Sequence, residues 1–142
     1  MILVDSNVLL YAANRESEHH RVAVKALEEV MKTGPWVFSW NLAYEFFRVS
    51  THAQVFSEPL TLDEALSFIR DLLESSSCRM IGETLEHLET MATCAKETHR
   101  LRGNLVHDFH TAVMMREHGI KEILTFDRDF LAFPWVAVKQ PR

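Results

Sequence analysis

Short apolar runs alternate with stretches of helical periodicity along the whole of this chain, and that alternation leaves few folds open. The runs "ILV" at 2–4, "WVFS" at 36–39, "RMIG" at 79–82, "EILTF" at 122–126 and "WVAVK" at 135–139 read as strands. Between them, Ser17–Lys32 places Val22, Ala26, Leu27 and Val30 at helical spacing and closes on Gly34-Pro35. A helix from Asn41 carries Leu42, Phe46, Val49 and Ala53 on one face, and "TLDE" at 61–64 is a capping box opening a helix with Leu62, Leu66, Ile69 and Leu73. Leu85–His99 and Asn104–His118 are helical patterns too, the second ending at Gly119, an expected C-terminal cap. Parallel strands need such crossovers, so the expected fold is α/β: a three-layer sandwich with a central, mainly parallel sheet of four to five strands flanked by helices. Ligands of such sheets bind beyond the carboxyl ends of the strands.

A chain of 142 residues, 47% apolar and 25% charged, without linker or repeat, fits a single domain over 1–142. No basic leader precedes the Ile2–Val4 run, which Asp5 interrupts, so it matches neither a signal peptide nor a membrane span, and the mature chain is expected to start here. Cys78 and Cys94 lack any CxxC spacing and are expected as buried fillers in a reducing cytoplasm. A net charge of −5 argues against a simple basic nucleic-acid binder. Any role on nucleic acid must therefore account for the acids.

Four of those acids break apolar patterns. Asp5 ends the first strand, and Asp127 ends Ile123–Phe126 in the same way, with Asp129 two residues on. Glu45 borders the buried face of its helix, and Asp108 lies beside a face made by Leu105, Phe109, Ala112 and Val113. Taken singly, each has an ordinary structural role open to it. Asp5 could cap a helix, Glu45 could pair with Arg48, Asp108 could be helix surface and Asp127 could begin a turn. Taken together, convergent carboxylates repel unless a divalent ion balances them, and magnesium or manganese suits an all-oxygen site. Setting those four aside leaves the rest of the chain near neutrality, so a phosphate substrate is no longer excluded. A carboxylate-held cation can activate water for phosphodiester hydrolysis, and no P-loop, G-x-S-x-G, G-x-G-x-x-G or H-E-x-x-H offers another chemistry.

The segments "MILVDSNVLLYA", "SWNLAYEFFRV", "VHDFHTAV" and "ILTFDRDF", in this order and spanning nearly the whole chain, resemble the four acidic signatures of PIN-domain ribonucleases. The chain's size and "RVSTHAQVFSEPLT" resemble, within that family, the VapC-type toxins of toxin–antitoxin pairs. The resemblance implies a PIN-like sandwich and a magnesium-dependent endoribonuclease, with Asp5, Glu45, Asp108 and Asp127 catalytic and Asp5, Asp108 and Asp127 on the metal. Ser6, Asp129 and Arg48 are possible additions: Ser6 orients a ligand or caps the helix, Asp129 competes with Asp127, and Arg48 contacts phosphate or steadies Glu45. It further implies an RNA substrate, a small antitoxin whose chain enters the acidic groove, and a homodimer.

Other features carry less. Lys96, Arg100 and Arg102 with His99 could follow an RNA backbone or form a solvated helix end. His107 and His110 flank Asp108 but lack a third nitrogen or sulfur ligand, so surface or supporting roles are expected. Trp40, Phe46 and Phe47 are read as core, and the helix carrying Phe68 and Leu72 either supplies a dimer face or buries these residues itself. The competing functions are a PIN-like nuclease acting in RNA processing or on DNA, and a catalytically silent nucleic-acid-binding module. A haloacid-dehalogenase-type phosphatase would need an aspartate where Asn7 stands.

Overall fold

The structure, a computed structural model, describes residues 1–142. The chain runs β1 (Ile2–Val4), α1 (Ser6–Ala13), α2 (His20–Thr33), β2 (Trp36–Ser39), α3 (Trp40–Ser50), α4 (Leu62–Glu74), β3 (Cys78–Ile81), α5 (His87–Glu97), α6 (Leu105–Glu117), β4 (Glu122–Leu124) and β5 (Ala137–Lys139), with a 3-10 turn at Asp129–Ala132. All four strand pairings are parallel and the sheet order is β3-β2-β1-β4-β5. Six helices flank this sheet, as the alternation required. None is long and apolar enough to cross a membrane.

Register explains why so short a first strand is secure. Leu3 faces Val37 of β2 on one side and Ile123 of β4 on the other, and all three are fully buried. The strands step outward from β1 through β2 to β3, then the chain returns to the other side of β1 for β4 and β5. The order therefore reverses between β1 and β4, and in open α/β sheets that reversal opens the ligand crevice at the strand tips. Buried Leu3, Val8, Phe38, Phe46, Met115 and Ile123 belong to one continuous core. Helix α6 is buried at every position from Thr111 to Met115, whereas α5 packs on α6 and buries only Cys94.

Several expectations shift. Helix α2 begins at His20 rather than Ser17, whose hydroxyl instead accepts from the His19 N–H in a turn. Helix α3 stops at Ser50, leaving Ala53 exposed, because Thr51 folds its N–H and hydroxyl back onto the Phe47 carbonyl. The Thr61–Glu64 capping box forms as expected, but α4 buries Ala65, Ile69 and Leu72 and exposes Leu62 and Leu66. Both stripes have helical spacing, and small Ala65 allows the closer approach. Phe68 stacks on Phe46 at 4.9 Å and Leu72 is buried, so this pair serves the chain's own core. Cys94 is buried and Cys78 half-buried; neither is paired. Trp40 is exposed, which corrects its reading as core.

Gly119 ends α6 with φ 67°, and the next residue, Ile120, donates to the Met115 carbonyl at 2.8 Å. A side chain in that left-handed conformation costs about 1–2 kcal/mol. Gly119→Ala should lower unfolding stability by about that amount in urea titration without changing the slope; an unchanged midpoint would show that the cap is not needed.

Candidate active site

Asp5 leaves β1 and caps α1, its Oδ1 accepting from the Ser6 N–H at 2.7 Å, so the acid that ends the strand also starts the helix. The β4 tip lies alongside, because the Asp5 N–H donates to the Leu124 carbonyl at 3.0 Å. Between the two tips stands Thr125, fully buried. Its hydroxyl donates to Asp5 Oδ2 at 2.6 Å and accepts from the Asp127 N–H at 2.9 Å and from Asn7 Nδ2 at 3.0 Å. Asn7 also donates to Asp5 Oδ2 at 3.1 Å and accepts from the Phe126 N–H at 3.2 Å. One threonine and one asparagine thus latch Asp5 to the segment that carries Asp127.

A second latch aligns the helices. Ser39, at the end of β2, donates to Asn41, and Asn41 Nδ2 donates to the buried Thr111 hydroxyl of α6 at 3.0 Å. This ties the start of α3 to α6, which carry Glu45 and Asp108. Ser6 Oγ then donates to Glu45 Oε2 at 2.9 Å. The resulting crevice brings Asp5, Ser6, Asn7, Glu45, Asp108 and Asp127 together, and Tyr11 and Phe126, packed edge to face at 4.9 Å, close one end. At the other end it opens into a groove lined by Asn41, Tyr44, Arg48, Asn104, His107 and Asp129.

Asp108, Asp127 and Asp129 each offer a carboxylate oxygen within 4.8 Å of the others. Asp127 does begin a turn, accepting from the Asp129 N–H at 2.8 Å, and that turn swings Asp129 toward Asp108. No Lys or Arg pairs with any of the five acids. In particular, Arg48 does not steady Glu45, one of the two roles read for it from sequence; Ser6 does so instead. His110 lines the same groove but is engaged with Glu83, 2.6 Å from Nε2. The charge balance is correspondingly strained. Burial pushes the Asp5 carboxyl up from 3.8 to about 6 against the Thr125 hydrogen bond, with Glu45 and Asp127 adding repulsion. Burial first, then repulsion from Asp5, Asp127, Asp129 and Glu45, lifts Asp108 to about 7. A convergent set of uncompensated oxygen donors fits a hard divalent cation.

All four catalytic candidates and Ser6 therefore line one crevice, and Asp129 joins Asp127 in the acid cluster instead of replacing it. Thr125, Asn7, Asn41 and Thr111 were missed. Their only signal in the sequence is a small polar residue set among apolar neighbours, two positions from a strand-tip acid in the cases of Asn7 and Thr125.

Both raised carboxyls lie above the 3.8 of an unfolded aspartate, so between pH 3.8 and about 7 the folded chain binds more protons than the unfolded one. Their contribution to stability in chelator therefore falls as pH rises through that window. The Tm difference between Asp108→Asn and the parent should be smallest below about pH 3.8 and grow in favour of the variant up to about pH 7. A difference independent of pH would remove the raised carboxyl of Asp108 from the account.

The family model for the PIN domain matches residues 2–136. The chain is 34% identical over 142 residues to Ribonuclease VapC37 of Mycobacterium tuberculosis, covering 99% of this chain and 97% of that protein. It is 33% identical over 139 residues to Ribonuclease VapC48 of the same organism, covering 96% and 94%. Among solved structures, VapBC2 from Rickettsia felis, bound to a DNA fragment from its promoter, aligns with TM-score 0.71 at 16% identity, covering 100% of both chains. Mycobacterium tuberculosis VapC20, a sarcin-ricin loop cleaving toxin, aligns with TM-score 0.70 at 21% identity, covering 96% and 98%. These two share the fold, and the closer sequence relatives are ribonucleases. The chain belongs to the PIN-domain family, in the branch of the VapC ribonucleases.

Proposed function

We propose that the chain is a magnesium-dependent endoribonuclease acting as the toxin of a toxin–antitoxin pair. The observation that carries this reading is the convergence of Asp108, Asp127 and Asp129 beside Asp5 and Glu45, with no Lys or Arg ion-paired to any of them. Asp5, Asp108 and Asp127, with Asp129, are the residues that would hold the ion, and manganese could replace magnesium there. When bound, the ion supplies positive charge that acidifies water and offsets charge on the phosphate.

The chain's own groups do the rest. Asp5 holds its place through Thr125, Asn7 and the Ser6 N–H, so its part is to fix the crevice floor as well as to ligate. Glu45, oriented by Ser6, keeps Oε1 free to take a proton from the attacking water. Asp108 accepts no hydrogen bond from the chain and stands ready to change partners. No side-chain nucleophile is needed.

A small antitoxin is the proposed partner, and the relevant observation is that two fold neighbours are VapBC assemblies bound to DNA. An antitoxin arginine entering the groove would meet the same uncompensated carboxylates. A homodimer is proposed as well; with Leu72 buried and Phe68 partly buried, the apolar residues exposed for it include Leu62 and Leu66 of α4 and Leu88 and Met91 of α5. Cytoplasmic residence is part of the proposal, since an RNA substrate and unpaired cysteines suit a reducing compartment.

Incubating the protein with total RNA in magnesium, manganese or chelator, and sequencing the new ends, tests the activity. Metal-dependent cuts at a few sites are expected, reduced in Asp108→Asn by more than about 100-fold, the upper end of what loss of an outer-shell partner costs. Asp108 is the cleaner variant because Asp5→Asn would keep the Ser6 cap but lose the bonds that Thr125 and Asn7 donate to Oδ2. Intact RNA in every condition would favour a DNA substrate or a silent binding module.

A further inference from the structure

We propose that Trp40 and Tyr44 of α3 form a stacking platform for unpaired RNA bases at the mouth of the groove, with Arg48 as its phosphate anchor. The inference deepens the nuclease reading and takes from it that RNA enters this groove. Trp40 is 53% exposed and Tyr44 71% exposed, and neither packs against the core, although α3 buries Leu42, Ala43 and Phe46 on its other side. Positions 40, 44 and 48 follow one another at i, i+4 and i+8, which sets the three side chains along one face of the helix, about 6 Å apart per step. That face adjoins the acids: Tyr44 is next to Glu45, and Tyr44 and Arg48 line the groove with Asp108 and Asp127.

Two further features fit this occupant. Phe47 meets the Tyr44 ring edge to face at 6.3 Å, propping it while leaving it largely exposed. Arg48 is the single Lys or Arg lining the groove and forms no ion pair within the chain. Flat aromatic faces flanked by a guanidinium suit bases splayed from a single strand or loop, because duplex bases are already stacked on each other. By contrast, Tyr11 and Phe126 at the other end of the crevice are engaged with each other.

The test uses the full chain in chelator, so that no turnover is needed, with a short unstructured RNA and the same strand annealed to its complement. Trp36 is buried and Trp135 donates its indole N–H to the Ala112 carbonyl, so quenching by RNA should report Trp40. The single strand should quench and the duplex should not, and quenching should vanish in Trp40→Phe. Tyr44→Ala should weaken single-strand binding about tenfold, with Tyr44→Phe retaining it, and in magnesium the same variants should raise KM more than they lower kcat. Equal affinity of Tyr44→Ala and the parent would overturn the platform. So would a change in sedimentation on Trp40→Ala or Tyr44→Ala, which would assign the face to a second copy of the chain. Failure of the nuclease reading looks different: aromatic-dependent binding of the single strand with no new ends in magnesium leaves the platform standing and removes the hydrolysis.

Discussion

Repulsion among carboxylates that the fold forces together is the constraint around which this molecule is arranged. Asp5, Glu45, Asp108, Asp127 and Asp129 come from separate parts of the chain and meet with no lysine or arginine between them. Unbalanced, such a group would spread apart or take up protons, and Asp5 and Asp108, lifted first by burial and further by this repulsion, lean to the second response. What prevents the first is a pair of neutral latches. Thr125 and Asn7 join the strand tips, and Asn41 and Thr111 join the two helices. Because the latches carry no charge, they hold the acids without neutralising them, and the capacity for a cation survives.

The sheet explains why these acids and not others converge. Strand order reverses between β1 and β4, so their carboxyl ends share a crevice that no crossover helix covers. Helix α6 is buried along Thr111–Met115, which fixes its first turn, and with it Asp108, at the edge of that crevice. Helix α3 is anchored by Phe46 and Leu42 inside while presenting Glu45, Tyr44 and Arg48 to the groove. Packing rigidity thus reaches the reactive groups directly, and the open groove suits a polymer better than a small molecule.

Much of this was legible beforehand. Asp5 and Asp127 stood out because each directly follows an apolar strand, and a strand-tip residue in an α/β sheet has only one place to be. Glu45 and Asp108 could be placed at the border of a helical face, although not opposite one another. Where two stripes had equal periodicity, as with Leu62 and Leu66 against Ala65 and Leu72, composition favoured the leucine pair and packing chose the stripe that begins with small Ala65. Trp40 was misread for the same reason: its size suggests burial, but its position one turn from Tyr44 turns it outward.

Local patterns by themselves determined the alternation of strands and helices, the capping box at Thr61 and the four acids that break apolar patterns, since all of these depend on neighbours within a few residues. Tertiary structure alone decided that Thr125 holds Asp5 across 120 positions, that Ser6 rather than Arg48 orients Glu45, and that Asp129 joins Asp127. The physical reason is that a hydrogen bond or a repulsion depends on distance in space. Residues far apart in the chain acquire a distance only when the sheet order is set.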